Sequence, residues 1–156
     1  MIAFFVGECM EKYMKLALKE AYKAFDKDEV PIGAIIVLNG KIIARAHNLR
    51  EKKQISTAHA EILAIEKACK KLGTWRLEDC ELYVTLEPCP MCSGAILQSR
   101  IKKVFYGALD PKGGSIESNM KMYETKGYNH YPETYYLPNQ ECSQILKDFF
   151  KRKRMK

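Results

Sequence analysis

The sequence predicts a three-layer α/β/α fold, in which a mixed five-stranded sheet begins with an antiparallel hairpin and carries helices on both faces. Apolar residues recur at three-and-four spacing from Glu8 to Phe25, which is typical of an amphipathic helix. Two apolar runs then flank Asn39-Gly40, the strongest short-range signal of a tight hairpin. Farther along, a strand, a helix and a second strand follow in the order of a parallel crossover.

The first half of the chain supplies one helix, the hairpin and a second helix. Residues 30–33, Val-Pro-Ile-Gly, end the first helical pattern. Ser56 and Thr57 are candidate caps of the second helix, and Gly73 closes it. The predicted ranges are Ala34 to Leu38 and Lys41 to Ala46 for the hairpin strands, and Ala58 to Leu72 for the second helix.

The second half contains the crossover, a glycine-rich loop and the end of the sheet. A final helix begins near Asn139, because the apolar residues after it lie at helical spacing. The predicted segments are Leu82 to Leu86 (strand), Pro90 to Arg100 (helix), Val104 to Ala108 (strand), Asp110 to Gly114 (loop), Ser118 to Tyr123 (helical turn) and Tyr135 to Leu137 (strand).

Length and composition favour one globular domain over residues 1–156. The chain is 47% hydrophobic and 29% charged, and a domain of this size buries roughly 68–70% of the surface that its unfolded chain exposes. No apolar run approaches the ~18 residues of a membrane helix. The opening stretch from Ile2 to Val6 lacks a basic segment and soon meets Glu8, unlike a secretory signal. We therefore expect a cytoplasmic protein with no membrane partner.

The positive charge is concentrated at the C-terminus. The net charge is +7, and residues 147–156 contribute +5 of it, because only Asp148 opposes their cations. We expect attraction to a polyanion to act mainly through this tail. Its cations are Lys147, Lys151, Arg152, Lys153, Arg154 and Lys156.

The cysteine pattern indicates a metal site. Six cysteines in an unexported chain argue against a disulfide framework. Cys89 and Cys92 flank Pro90, which is suited to the first position of a helix. Cys89 should then cap the helix and Cys92 should lie in its first turn, where unpaired N–H groups favour the thiolates that zinc requires.

His59 supplies a third ligand, and Glu61 follows it in a His-Ala-Glu motif. Three protein ligands with an open fourth position are typical of catalytic zinc, and a nearby carboxylate can move protons. Residues at i and i+2 of an ideal helix diverge by about 200°, so His59 and Glu61 converge only if His59 is a cap or lies in the first turn. Alternatively, Cys69 or Cys80 completes a closed structural zinc site.

The His-x-Glu and Pro-Cys-x-x-Cys motifs resemble the cytidine deaminase-like superfamily. The longer similarity, over about residues 8–150, is to the bacterial tRNA-specific adenosine deaminases. It is carried by the following segments: Glu29 to Ala34, His47-Asn48, Thr57 to Glu61, Tyr83 to Cys89, Ser99 to Ile101, Gly107 to Gly114, Asn129-His130 and Asp148 to Phe150.

This resemblance implies a fold, a reaction and a set of site residues. Zinc-activated water would convert the wobble adenosine of a tRNA anticodon to inosine, with one zinc per chain held by His59, Cys89 and Cys92. Glu61 would be the catalytic proton carrier, and Asn48 would contact the base. Other substrate contacts would come from Asp110, Lys112, Asn129 and His130 on the rim, and from Phe149, Phe150 and Arg152 on the last helix. A homodimer is also implied, and DNA is not an expected partner.

Local structure offers other interpretations of these outer residues. Asn48 can cap the turn after the hairpin, and Asp110 can be part of an ordinary turn. Either phenylalanine can pack inward, because adjacent helical residues point about 100° apart. Residues 115–120, Ser-Ile-Glu-Ser-Asn-Met, depart from the family pattern, and Glu117 adds a negative charge beside a surface expected to face phosphate.

Two rival functions are compatible with the same zinc motif. A small-molecule deaminase of guanine, cytosine or a nucleoside would carry the same zinc motif. It would not need the loop from Asp110 to Gly114 or the aromatic and basic last helix. A non-enzymatic RNA-binding module would instead use structural zinc, with a fourth protein ligand.

Overall fold

The computed structural model describes residues 2–155, with side chains from Gly7 onward. The side chains of the opening apolar run and Lys156, the last cation of the tail, therefore lie outside the described residues. The helices are α1 (Ile2–Asp26), α2 (Arg50–Lys53), α3 (Ala60–Leu72), α4 (Pro90–Gln98) and α5 (Gln140–Arg154). The strands are β1 (Gly33–Leu38), β2 (Lys41–His47), β3 (Cys80–Val84), β4 (Lys103–Tyr106) and β5 (Glu133–Tyr136).

The five strands form one mixed sheet in the order β2-β1-β3-β4-β5. Strand β1 pairs antiparallel with β2 and β3, whereas β3, β4 and β5 run parallel. The predicted hairpin is confirmed, because Leu38 pairs with Lys41 across a turn in which Asn39 and Gly40 have φ of 51° and 77°. Such positive φ angles match the right-handed twist of the two strands.

Helices cover both faces of the sheet, which confirms the predicted three layers. Side chains alternate between the faces along β1, so Ile35 packs with α1 and α5 while Ile36 packs with α3 and α4. One core contains Met14 and Cys142 beside Ile35, and the other contains Ala64 beside Ile36. Within the described residues, no helix has the length and apolarity needed to cross a membrane.

Gly33 lets α1 lie close against the start of β1. A Cβ atom there would lie 2.1 Å from the Ala17 carbonyl oxygen and 2.5 Å from the Ala21 nitrogen, so a side chain has no room. The Gly33 amide donates to the Thr85 hydroxyl oxygen at 3.1 Å, just beyond β3. This contact links the first strand to the segment that leads to Cys89.

Several predicted boundaries are corrected. The prediction that Ser56 or Thr57 caps the second helix is wrong, since that helix begins at Ala60 with His59 as its N-cap. Helix α4 ends two residues early, where the Ser99 hydroxyl donates to the last carbonyls of the helix and Arg100 adopts a φ of 64°. The strands β3, β4 and β5 begin one or two residues before the predicted positions. The late helical turn is a 3-10 turn at Met122–Glu124, and α2 was not predicted.

Candidate active site

His59 lies at the start of α3 with an extended backbone, at φ −76° and ψ 154°. Because this conformation departs from the helix, the 200° divergence expected between residues i and i+2 does not apply, and Glu61 stays in the first turn. The imidazole Nδ1 lies 3.6 Å from Cys89 Sγ and 3.5 Å from Cys92 Sγ. The structure thus brings the imidazole and both thiols together.

The two thiols lie at the N-terminus of α4. Cys89 is the N-cap with φ −76° and ψ 171°, Pro90 is the first helical residue, and Cys92 is buried in the first turn. This arrangement is the one predicted from the proline between the two cysteines. The helix dipole and the free N–H groups at that end favour negatively charged sulfur.

The two sulfur–nitrogen separations in this cluster fit zinc. Zn–S bonds of about 2.3 Å and Zn–N bonds of about 2.0–2.1 Å at a tetrahedral angle place sulfur and nitrogen about 3.6 Å apart. The measured 3.5 and 3.6 Å agree with that value. Among the described residues, His59, Cys89 and Cys92 form the sole cluster of this kind, and neither Cys69 nor Cys80 joins it. The donor set therefore leaves a fourth position without a protein ligand.

Glu61 is a buried carboxyl group beside this cluster, with 4% of its surface exposed. Burial raises the pKa of Glu61 to about 7, and the negative charge of Cys89 contributes to the increase. A hydrogen bond from Cys92, with a further one from His59, lowers the pKa of the Cys89 thiol to about 4. The contact with Cys89 and burial raise the pKa of the Cys92 thiol. The site thus favours a thiolate at Cys89 and a carboxyl group that titrates near neutral pH.

A cleft of about 830 Å³ opens onto His59. Four of the predicted substrate contacts line it: Asn48, Asp110, Lys112 and Phe150. Four charged residues that were not predicted as contacts line it as well: Arg50, Glu51, Lys147 and Arg154. Lys147 and Arg154 belong to the predicted basic tail, so charge clustering could have found them. The other two lie in the unpredicted helix α2.

Asn48 caps a turn and also lines the cleft, while its contact with the base stays a prediction. Its Oδ1 accepts from the Arg50 amide at 3.1 Å, and its Nδ2 donates to the Val30 carbonyl at 3.2 Å. It therefore caps the turn after the hairpin. A side-chain amide offers two donors and two lone pairs, so one N–H and one lone pair remain for a ligand in the cleft.

The loop after β4 combines turn chemistry with a position on the cleft wall. Asp110 Oδ1 accepts from the amides of Lys112 and Gly113 at 3.2 and 3.1 Å. The Glu117 charge does not stand free beside this wall, because the Tyr106 hydroxyl donates to its carboxylate. Burial, together with that hydrogen bond, raises the pKa of Tyr106.

The two adjacent phenylalanines near the end of α5 lie in different environments. Phe149 is 3% exposed and packs edge-on against Phe25, whereas Phe150 is 45% exposed and faces the cleft. The Arg152 guanidinium stacks 4.1 Å from the centre of the Phe25 ring and donates to the Phe25 carbonyl and to Asp28. Arg152 thus joins α5 to the end of α1, and its contact with RNA stays a prediction, as does that of Phe149.

Asn129 and His130 do not join the cleft of their own chain. They precede β5, and the His130 ring contacts the Ile101 carbonyl at 2.9 Å, just before β4. Because β4 and β5 run parallel to β3, residues that precede β4 and β5 lie at the N-terminal ends of these strands. Cys89 follows the C-terminal end of β3, so it lies at the opposite end of the sheet. Their assignment as substrate contacts stays a prediction.

This sheet topology, with a His-Cys-Cys cluster at two helix N-termini and a buried carboxyl group beside it, defines a deaminase of the cytidine deaminase-like class. The profile of the MafB19-like deaminase family matches residues 9–154. A tRNA-specific adenosine deaminase of Bacillus subtilis is 56% identical over 94% of this chain and 91% of its own. The chain belongs to the MafB19-like deaminase family and, within it, groups with the tRNA-specific adenosine deaminases.

Solved structures agree with this grouping. A tRNA:A34 deaminase studied for A-to-I editing at the wobble position superposes with a TM-score of 0.84 at 47% identity, over 87% of this chain and 99% of its own. A guanine deaminase from Bacillus subtilis superposes with a TM-score of 0.62 at 33% identity, over 90% of this chain and 93% of its own. The same fold therefore serves both RNA and a free base in its relatives.

Proposed function

We propose that this enzyme hydrolyses the wobble adenosine of a tRNA anticodon to inosine, releasing ammonia. The observation that carries the proposal is the cleft of about 830 Å³ that opens onto His59, because its wall also carries several cations and the ring of Phe150. A free base requires no such wall. The relatives named as tRNA-specific adenosine deaminases support the same substrate. Such a substrate would put the enzyme in the cytoplasm.

His59, Cys89 and Cys92 would hold one zinc ion per chain. Zinc bound there would supply a water molecule activated as the nucleophile. Glu61 would take a proton from that water and return it to the departing amine at C6 of the adenine. Burial raises the pKa of Glu61, which favours this role, since a general acid–base works best when its pKa is near the operating pH.

The rim residues would bind the anticodon loop. The free N–H and lone pair of Asn48 would contact the edge of the flipped adenine. Phe150 would stack on a neighbouring base, and Lys112 would contact the backbone beside Asp110. In the proposed homodimer, Asn129 and His130, remote from the cleft of their own chain, would act at a partner's site. Phe149 and Arg152 would contribute mainly by holding α5 in place.

A purine-base deaminase is the second candidate, because the guanine deaminase neighbour shares the fold. The deciding experiment incubates the purified protein with transcribed tRNAs and maps inosine by sequencing. Parallel reactions use an anticodon stem-loop, free guanine and free adenosine. We expect inosine at the first anticodon position and no turnover of guanine. Turnover of guanine without any inosine in RNA would contradict the proposal and favour the second candidate.

The non-enzymatic alternative makes a different prediction about the metal. A structural site would be closed by a fourth protein ligand and would hold no exchangeable water. We expect a cobalt-substituted sample to change its visible spectrum when a ligand such as azide is added, and chelation to abolish deamination. A spectrum insensitive to added ligand, together with RNA binding that survives chelation, would favour the non-enzymatic module.

A further inference from the structure

Glu87 is a buried carboxylate that lies two residues before Cys89 and has 2% of its surface exposed. Its Oε1 accepts from the Asp110 amide at 3.1 Å and from the Ser118 hydroxyl. Its Oε2 accepts from the amides of Ile116, Glu117 and Ser118 at 3.0, 2.8 and 3.0 Å. One side chain thus satisfies donors at both ends of a single loop.

The loop held by Glu87, residues 110–118, forms one wall of the cleft through Asp110, Lys112 and Gly113. Further contacts attach it to the segment that carries the metal ligands. The Ser115 amide and hydroxyl donate to the Pro88 carbonyl at 2.9 Å, and the same hydroxyl lies 2.6 Å from the Ser93 hydroxyl. The wall and the start of α4 therefore form one hydrogen-bonded unit.

Gly114 allows the loop to lie directly against this carboxylate. A Cβ atom at Gly114 would lie 2.4 Å from Glu87 Cδ and 2.6 Å from the Asp110 carbonyl oxygen. Neither contact can be relieved by moving the end of a flexible side chain, because Asp110 presents its backbone and Glu87 is buried and bonded. The close fit indicates that the loop is built around Glu87.

We propose that Glu87 is a positioning residue that fixes the rim loop relative to Cys89, and so sets the affinity for RNA and not the rate of the chemical step. This inference rests on the proposed function. Glu87 does not touch the cleft and acts through Asp110 and Lys112. Backbone amides buried without an acceptor are costly, so the loop has one strongly preferred arrangement while the carboxylate is present.

The Glu87→Gln variant tests the inference with little change in size. Both oxygens of Glu87 accept from N–H or O–H donors. In Glu87→Gln one of these oxygens is replaced by an NH₂ group, which cannot accept and would face the same donors in either orientation of the side chain. We expect the KM for an anticodon stem-loop to rise about tenfold, because the substitution removes about one charged hydrogen bond. The kcat and the zinc content should stay near those of the wild-type enzyme.

Glu81→Gln is the matched control. Glu81 lies on β3, in the same strand-to-helix segment as Glu87, but its side chain is about one-third exposed and lies 4.0 Å from Lys103. The same chemical change there should leave KM and kcat unaltered. Ser118→Ala removes a single hydroxyl donor to Glu87 and should give a smaller rise in KM without a fall in kcat.

The outcomes separate this inference from the proposed function. A fall in kcat at unchanged KM, or loss of zinc, in Glu87→Gln would overturn the positioning role. If the wild-type enzyme does not deaminate the stem-loop, the proposed function fails. The positioning role of Glu87 can then still be tested by hydrogen exchange of the amides of residues 116–118. Exchange should be faster in Glu87→Gln, and unchanged exchange would overturn the inference. If Glu87→Gln does not fold, the kinetics of Ser118→Ala decide instead: an unchanged KM would overturn the inference.

Discussion

The metal centre and the rim of the cleft are built in different ways. Each residue of the centre lies in the first turn or at the cap of a helix, where proline placement and backbone conformation set its direction. The rim lies on short loops and on the end of α5, whose conformations depend on partners far away in sequence. A buried carboxylate supports each of two rim segments: Glu87 holds residues 110–118, and Glu29 holds α2.

Glu29 illustrates this dependence. Its side chain is fully buried, and its two oxygens accept from the amides of Glu51 at 3.0 Å and Lys52 at 2.6 Å. These contacts cap α2, a helix of four residues that could not form alone, since isolated short helices are unstable in water. The centre is thus set by local chemistry, whereas the rim is set by long-range hydrogen bonds. We therefore expect changes at the centre to act on rate and changes at the rim to act on binding.

Glu61→Gln should have the largest effect, because it removes the proton carrier while keeping the shape of the side chain. We expect kcat to fall about 10²- to 10⁴-fold, the usual contribution of a general acid–base, with zinc content and RNA affinity unchanged. Rates are measured on an anticodon stem-loop under single-turnover conditions. Glu66→Gln, at an exposed position of the same helix, is the control and should behave as the wild-type enzyme. Substantial turnover by Glu61→Gln would exclude the assigned role.

The adjacent phenylalanines provide the second test, because they separate packing from binding within one turn of α5. Phe149→Ala should lower the free energy of unfolding by about 3–5 kcal/mol, since it removes a buried ring that contacts Phe25. Phe150→Ala should leave stability nearly unchanged and weaken RNA binding by about 1–3 kcal/mol through lost stacking. Denaturant unfolding and equilibrium binding of the stem-loop measure the two effects. The opposite pattern would show that the exposed ring is not the one that meets the base.

The two regions also differ in how far the sequence predicts them. The direction of Cys89 and Cys92 follows from Pro90 alone, so that part of the centre could be predicted. The cap position of His59 could not, because Ser56 and Thr57 are better capping residues and only the fold shows that the imidazole turns towards the thiols. The order of helices and strands followed from periodicity and turn residues, whereas the ends of the strands did not.

At the rim, the sequence predicts which residues are involved but not which residues they contact. Helical spacing allows either Phe149 or Phe150 to point inward, and the choice depends on the position of α1. The family resemblance predicts that Arg152 contacts the RNA, yet its side chain stacks on Phe25 and binds Asp28, more than 120 residues away in sequence. A local sequence pattern cannot predict contacts between residues so far apart in the chain. The packing role of such a residue is therefore visible only in the folded structure.

The salt dependence of RNA binding should show the smallest effect. It tests which cations of the basic tail contact the RNA and which hold α5 in place. Lys147 and Arg154 face the cleft, whereas Arg152 and Lys153 bind Asp28. Deleting the whole tail would therefore loosen α5 as well as remove charge. Each phosphate neutralised on a single strand contributes about −0.7 to the slope of log K against log salt. If each of the two cleft-facing cations neutralises one phosphate, replacing both by Gln should flatten the slope by about 1.4.

A double variant of Lys12 and Lys19 to Gln is the control for this measurement. It removes the same amount of charge from exposed positions on α1, and neither residue lines the cleft. Binding of the stem-loop is followed by fluorescence anisotropy between 50 and 300 mM salt. Because neither lysine lines the cleft, the control slope should remain at the wild-type value. Equal flattening in both variants would mean that net charge, and not the placement of Lys147 and Arg154 in the cleft, attracts the RNA.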